Sequence, residues 1–153
     1  MPDIIIRAAI AHDLPILLQF EQGIISAERP FDCTLGKGDI RYYDLEMMIA
    51  APHIQLLVAE LDGELIGSGY ARIEDAKPYL DHQQYAYLGF MFTRPEHRGK
   101  GVNQKIIEAL KEWSASQGIT ELKLDVYCEN ASAIKAYEKV GFVKYMVNMR
   151  RGI

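Results

Sequence analysis

The sequence is poor in cysteine. Cys33 and Cys128 stand far apart with no CxxC spacing, so no zinc site or disulfide framework can be read from them. Its four histidines, His12, His53, His82 and His97, never pair at helical spacing, which removes the usual mark of a helix-borne metal site; no metal is expected. No stretch approaches the roughly 18 apolar residues that a membrane span requires, and the start, Met1-Pro2-Asp3, lacks the basic segment of a secretory signal, so a cytoplasmic protein is expected, with no membrane partner. Basic charge is not in excess either. Seventeen Lys and Arg against 21 Asp and Glu give a net charge of −4, which argues against a nucleic-acid binder relying on a domain-wide positive field. The basic set Arg94, Arg98, Lys100, Lys105 and Lys111 does not overturn that balance, and no nucleic-acid partner is expected. Low-complexity linkers and solenoid repeats are also missing.

What is present is a globular composition. A chain of 153 residues with 49% hydrophobic and 25% charged residues suits one domain spanning 1–153. A chain of this size buries about 68 to 70% of its unfolded surface and needs no disulfide, metal or partner to fold. Segments of strand and helix period alternate throughout. Ile4 to Ala8 reads as a strand; Asp13 and Pro15 then open a helix carrying Ile16, Leu17, Phe20 and Ile24. Residues 26–38 break periodicity as a long loop, and Asp39 opens a second helix ending near Pro52. Ile54 to Leu61 and Glu64 to Ile73 form a hairpin about Asp62-Gly63. After a loop over 75–82, Tyr85 to Thr93 is an apolar strand expected at the sheet centre, covered on both faces. Gly101 to Gln117 is an amphipathic helix stopped by Gly118; Leu122, Leu124 and Val126 alternate in a strand; a short helix runs from Asn130 to Lys139; and Phe142 to Met149 makes a last strand. The order β-α-α-β-β-β-α-β-α-β predicts an α+β fold, a mixed sheet with helices on its faces.

The segment Pro95-Glu96-His97-Arg98-Gly99-Lys100-Gly101-Val102-Asn103 lies between the apolar strand and the long helix. Glycines there let the backbone approach a ligand, while the free N–H groups and positive dipole end of the helix favour an anion, phosphate above all. Arg98, Lys100 and Lys105 add positive charge, and an arginine can fork onto phosphate oxygens. The loop is neither a P-loop, which needs GxxxxGK[ST], nor the dinucleotide fingerprint, which would need glycine at Gln104. A turn with solvated charges is the plainer reading of the loop by itself.

At this point the sequence resembles the GNAT family of N-acetyltransferases, whose acetyl-CoA loop reads Arg/Gln-x-x-Gly-x-Gly/Ala and here reads Arg98-x-x-Gly101-x-Asn103. A second signature, Asn130-Ala131 through Tyr137 to Gly141-Phe142, is similar to the family's second motif and follows in the same order. The resemblance implies a GNAT-like fold of three layers, α/β/α, that binds acetyl-CoA and moves its acetyl group directly to a primary amine of a small molecule or peptide. It implies that the pantetheine arm lies along Met91, Phe92 and Thr93, that the pyrophosphate rests on Arg98, Gly99, Lys100, Gly101, Val102 and Asn103, and that Asn130 contacts the cofactor as well as capping its helix. It makes Tyr137 the general acid that reprotonates the CoA thiolate, with a strand N–H stabilising the oxyanion. Tyr137 also shares a helix face with Ala133 and Ile134, as a packing tyrosine would.

Two departures stand out. Asn103 occupies a place where Gly or Ala is usual, and Tyr85, Ala86, Tyr87, Leu88 and Gly89 offer no carboxylate where many members carry a glutamate base. Asp81, His82, Glu28 and Glu129 remain as candidates for the base, and the missing carboxylate motivates an alternative, a non-catalytic acyl-CoA-binding regulatory domain. Cys128, with no histidine placed to activate it, is a poor candidate for an acyl-cysteine route. For the acceptor, Glu28, Arg29, Asp81 and Tyr85 are candidate contacts, within an aromatic set that includes Tyr42, Tyr43, Tyr79 and Tyr87. Many members of the family form homodimers, although no residue by itself argues for it here.

Overall fold

The computed structural model describes residues 3–153. Nine elements follow one another: β1 (Ile5–Ala8), α1 (Leu14–Glu28), α2 (Leu45–Ala50), β2 (Ile54–Leu61), β3 (Glu64–Asp75), β4 (Gln84–Thr93), α3 (Val102–Ser116), β5 (Leu122–Lys123) and α4 (Ala131–Lys139). They build a five-stranded sheet in the order β1-β2-β3-β4-β5, antiparallel except for the parallel β4–β5 pair. This is the α+β architecture expected from the pattern of elements. The β2–β3 hairpin turns on Asp62 and Gly63 at φ 51° and 80°, left-handed values that Asp-Gly accommodates at low cost.

Alternation along the strands divides the core. Leu56 and Val58 join Leu17, Phe20, Leu45 and Met48 on the face covered by α1 and α2, while Leu57 and Ala59 join Ile106, Ile107 and Leu110 of α3 on the other. Tyr137 of α4 and the following Phe142 pack against that second cluster. Helices therefore lie on both faces of the sheet.

Four elements differ from the sequence expectation. The first helix runs on to Glu28, so the loop starts later than residue 26, and the second helix begins only at Leu45 under an Asp44 cap (Met47 N–H to Oδ1, 3.1 Å). Residues 42 and 43 stay out of that helix because a distant carboxylate holds their backbone N–H groups. Glu21, fully buried in α1, accepts hydrogen bonds from the N–H groups of Tyr42 (2.9 Å) and Tyr43 (2.8 Å) and from Arg41 Nε (2.7 Å). Finally, Leu124 to Tyr127 leave the ladder after two residue pairs with β4, and the expected last strand, Phe142 to Met149, takes no part in the sheet.

Candidate active site

Strand β4 carries the feature that opens the sheet. Ala86 and Leu88 face the α3 side, so strict alternation would send Phe90 there too; instead Phe90 packs among Phe20, Tyr70 and Leu17 on the opposite face. The reset occurs at a β-bulge: Tyr70 pairs with Gly89 but Ser68 with Phe92, so two β4 residues oppose Gly69 alone, and Phe90 takes a left-handed φ of 55°. Buried Ser68 stabilises the kink by donating its hydroxyl to the Phe90 carbonyl at 2.9 Å. Gly89 is needed there, since an added Cβ would lie 2.6 Å from the Tyr70 ring. β5 pairs with β4 only at Ala86–Tyr87, before the bulge. Beyond it Met91, Phe92 and Thr93 have no strand on that side, which leaves backbone groups free for an extended ligand.

The chain leaves this free edge into the glycine-rich loop. Arg98 is exposed and ties back to the end of β4 through Nε to the Thr93 carbonyl (3.2 Å). Gly99 and Gly101 adopt φ of 77° and 81°, which only glycine takes cheaply, with open space where a Cβ would stand. No side chain caps the first turn of α3, so its leading N–H groups point out beside Lys100 and Asn103. Val102 itself is buried in the α3 core and contributes backbone only. The open β4 edge and the loop thus follow one another along the chain, and both fit the extended, phosphate-bearing shape of acetyl-CoA.

A cavity of about 520 Å³ lies on the α1–α2 face, lined by Tyr42, Tyr43, Tyr70, Arg72, Glu74, Tyr85, Tyr87, Lys123 and Asp125. Pairing explains the set: Glu74 lies opposite Tyr85, Arg72 opposite Tyr87, and Tyr87 opposite Lys123, so one face of three strands supplies a polar and aromatic wall. Glu74 is held by Arg72 Nε (2.6 Å) and by the Tyr85 hydroxyl (2.7 Å), and Tyr87 donates to Asp125 (3.1 Å). Burial raises the Tyr87 and Tyr43 hydroxyls far above their ordinary range. The Tyr43 ring, 5.1 Å from that of Phe90, links the cavity to the bulge.

The expected acceptor residues divide. Tyr85 lines the cavity. Arg29 does not: its guanidinium is spent on the carbonyls of Gly36 (2.7 Å) and Gly38 (2.6 Å), closing its own loop. Asp81 sits exposed in the β3–β4 loop and Tyr79 is 76% exposed, so neither reaches the cavity. Asp32 is also committed, accepting from the Thr34 N–H and hydroxyl, the Tyr127 hydroxyl (2.9 Å) and Arg150 (3.2 Å), which hold its carboxyl far below the usual range. Glu28 is different. It is half-buried at the end of α1, and burial, partly offset by the Tyr42 hydroxyl and reinforced by Asp32, raises its carboxyl above the ordinary 4.5.

Glu28 belongs to the α1 face and Tyr137 to the α4 face, yet burial and then the Glu28 charge raise the Tyr137 hydroxyl to about 12. Tyr127, which follows β5, is likewise raised to about 12 by burial, its bond to Asp32 and the Glu28 charge. β5 parts from β4 after the Tyr87–Lys123 pair, and the segment carrying Tyr127 and then α4 follow that point in the chain. Asn130 caps α4 by accepting from the Ala133 N–H (3.2 Å), and Tyr137 packs edge-on against Phe142 at 5.9 Å. Sequence reasoning missed Arg72, Glu74, Lys123 and Asp125; their alternation with apolar residues was visible, but the strand register that gathers them was not.

A parted sheet, a glycine turn ahead of a helix and a half-buried tyrosine on the helix after the gap define a CoA-dependent acyltransferase architecture, and comparison with known proteins agrees. The family model of the acetyltransferase (GNAT) family matches residues 25–142, and the chain belongs to that family. It is 30% identical over 105 residues to an aminoglycoside N(6')-acetyltransferase type 1 of Salmonella typhimurium, covering 68% of this chain and 72% of the relative. It is 28% identical to an IAA acetyltransferase of Azospirillum brasilense, over 61% of this chain and 58% of that one. Among solved structures, a mutant protein from Bacillus halodurans superposes with a TM-score of 0.86 at 17% identity, covering 97% and 99% of the two chains. An aminoglycoside acetyltransferase in complex with a bisubstrate analogue of CoA superposes at 0.73 and 25% identity, covering 99% of each. The protein is therefore an N-acetyltransferase of the GNAT type, and nothing in these relatives favours the non-catalytic alternative. Among the described residues no cluster of metal-ligating side chains occurs, and no helix is long and apolar enough to cross a membrane.

Proposed function

We propose that this protein transfers an acetyl group from acetyl-CoA directly to a primary amine of a small molecule seated in the cavity between the Tyr42–Tyr43 segment and the sheet. The observation that carries the reading is the β4 bulge, because it opens the sheet immediately before a loop of unsatisfied amides. Met91, Phe92 and Thr93 would hold the pantetheine arm through their backbone, and the amides from Gly99 to Asn103, with Arg98 and Lys100, would hold the pyrophosphate. Asn130 lies beside the arm as well as capping α4. Acetyl-CoA supplies the activated thioester; the residues around it position it and move protons.

Tyr137, at about 12, keeps its proton at Oη in neutral solution and offers it to a departing thiolate. Glu28 takes the place of the carboxylate absent from β4. An alkyl ammonium of pKa about 10.4 must lose a proton before it attacks, and a half-buried carboxylate of raised pKa is a suitable acceptor, directly or through water. The bulge supplies a free N–H for the charge that develops on the carbonyl oxygen. The acceptor wall balances Glu74 and Asp125 against Arg72 and Lys123 among tyrosines, which suits a polar amine carrying further hydrogen-bonding groups.

The test is thiol release from acetyl-CoA across a panel of amines, including aminoglycosides, polyamines and amino-acid amides. Replacing Tyr137 by Phe is expected to lower kcat by about tenfold or more with acetyl-CoA affinity within about twofold, as for a group that acts only in the transition state. Glu28→Gln is expected to remove the acidic limb of the kcat/KM profile, which in the parent enzyme lies above the ordinary glutamate range. Unchanged turnover in either variant would take that residue out of the mechanism.

A further inference from the structure

The charges that line the cavity are not equally committed. Glu74 has both oxygens filled, Oε1 by Arg72 Nε at 2.6 Å and Oε2 by the Tyr85 hydroxyl at 2.7 Å. Asp125 already accepts from Tyr87 and is exposed to water. The cations are differently placed. Arg72 reaches Glu74 through Nε, and its one other hydrogen bond among the described residues, Nη1 to the Tyr70 hydroxyl, is long at 3.4 Å. The Lys123 ammonium donates no hydrogen bond and pairs with no carboxylate among the described residues. It lies instead against aromatic rings, 4.6 Å from the Tyr85 centroid and 5.5 Å from that of Tyr145, while the Arg72 guanidinium lies 5.4 Å from Tyr70 and 5.3 Å from Tyr87. Rings hold a cation in place without neutralising it, and Lys123 is half-buried, where an ammonium without a counter-ion is costly.

Strand register sets the two cations in a row. Arg72 on β3 lies opposite Tyr87 on β4, and Tyr87 lies opposite Lys123 on β5, so they flank one ring at the same level of the sheet. We infer that this row is an anion subsite and that the acceptor is an amine which also carries a carboxylate. The inference rests on the proposed function in taking the cavity as the acceptor site. A carboxylate there gives Lys123 its counter-ion and accepts from the Nη groups of Arg72, which a guanidinium presents as a fork. The reacting end of the cavity is marked by Tyr70, paired with Gly89 at the bulge, and by Tyr43, whose ring is 5.1 Å from that of Phe90. It stands two residues along β3 from the row, about 7 Å at about 3.4 Å per residue. An amine at the bulge with its carboxylate on the row therefore needs a spacer of about four carbons, as in 5-aminopentanoate or along the side chain of a diamino acid. The amine of glycine, which shares one carbon with its carboxylate, cannot reach both.

Thiol release from acetyl-CoA with 5-aminopentanoate, its amide and glycine tests it. 5-Aminopentanoate is expected to exceed both others in kcat/KM by about tenfold or more, as for a charge-assisted bond that the amide lacks and glycine cannot make while reacting. Lys123→Gln is expected to cut the margin over the amide to within about threefold, and Lys123→Glu to reverse it. Each figure is a ratio within one variant, so a change in fold or in acetyl-CoA affinity cancels. Calorimetry with the acetylated product, 5-acetamidopentanoate, and its amide reads the same subsite without turnover: the acid should bind the wild type more tightly and lose that margin in Lys123→Gln. Acid and amide used equally well, glycine used as well as 5-aminopentanoate, or a margin unmoved in Lys123→Gln would overturn the inference. Turnover of other amines with no such margin sinks the subsite and leaves the transferase standing. A product margin that depends on Lys123, beside no thiol release with any amine, supports the subsite and counts against the transferase reading.

Discussion

Replacing Glu21 by Gln should unmake the wall that carries Tyr42 and Tyr43. The carboxylate is fully buried and accepts three hydrogen bonds, from Arg41 Nε at 2.7 Å and from the N–H groups of Tyr42 at 2.9 Å and Tyr43 at 2.8 Å. A glutamine has one acceptor oxygen. If it faces the two amides, its own NH2 meets Arg41 donor against donor; if it faces Arg41, two backbone N–H groups are left buried without a partner. Hydrogen bonds to a charged group contribute about 1.5–3 kcal/mol each, and an orphaned buried donor costs about 1–3 kcal/mol, so the expected loss is about 2–4 kcal/mol. The Arg41 side chain is 56% exposed, and water replaces much of what it loses, so Arg41→Ala should cost no more than about 1 kcal/mol. Urea denaturation of both variants measures the contrast. The acceptor KM should rise in Glu21→Gln with acetyl-CoA affinity unchanged, because only the tyrosine wall moves. A Glu21→Gln variant within about 0.5 kcal/mol of the parent would refute the reasoning, since that is the range of an ordinary surface change.

Other expectations follow from the same contacts. Gly89→Ala places a Cβ 2.6 Å from the buried Tyr70 ring and should cost about 1–3 kcal/mol in chemical denaturation by overpacking. Asp13, 4% exposed and held by Arg7 at 2.8 and 3.0 Å, has its carboxyl pulled below its ordinary 3.8, chiefly by that side chain. A depressed folded value contributes stability that is present above pH 3.8 and lost as pH falls through the lower folded value, so the stability gap between wild type and Asp13→Asn should be constant near neutrality and close in acid. Ser68→Ala removes the hydroxyl that holds the Phe90 carbonyl at the bulge; it should cost about 1–3 kcal/mol and weaken acetyl-CoA binding, measured by thermal shift with and without ligand.

Much of this was legible in the sequence where the determinants are local. Asp62-Gly63 dictates its hairpin, and Gly99, Gly101 and Asn130 announce the turn and the cap that the structure shows at φ 77°, 81° and an Oδ1 bond. The bulge was not legible. It hides inside Tyr-Ala-Tyr-Leu-Gly-Phe-Met-Phe-Thr, where every residue suits a strand and only the packing of Phe90 beside Phe20 reveals the change of side. The start of α2 was misread because Asp39 resembles a helix cap, while the groups that decide the matter, Glu21 and the Tyr42 and Tyr43 amides, lie about twenty residues apart. Arg29 read as a free charge for an acceptor, and it proves to be tied within its own loop. The expected last strand has the right alternation but has no neighbouring strand among the described residues, and a strand is defined by its neighbour.

The central claim is that the β4 edge and the Arg98–Asn103 loop bind acetyl-CoA as one strip. Calorimetric titration of the wild-type protein and Arg98→Glu with acetyl-CoA, desulfo-CoA and adenosine diphosphate tests it most directly. Saturable binding of acetyl-CoA and desulfo-CoA is expected, with adenosine diphosphate weaker by the loss of the pantetheine contacts and Arg98→Glu weaker towards all three by about tenfold or more. Equal affinity for adenosine diphosphate and acetyl-CoA, or an Arg98→Glu variant that binds like the wild type, would contradict it.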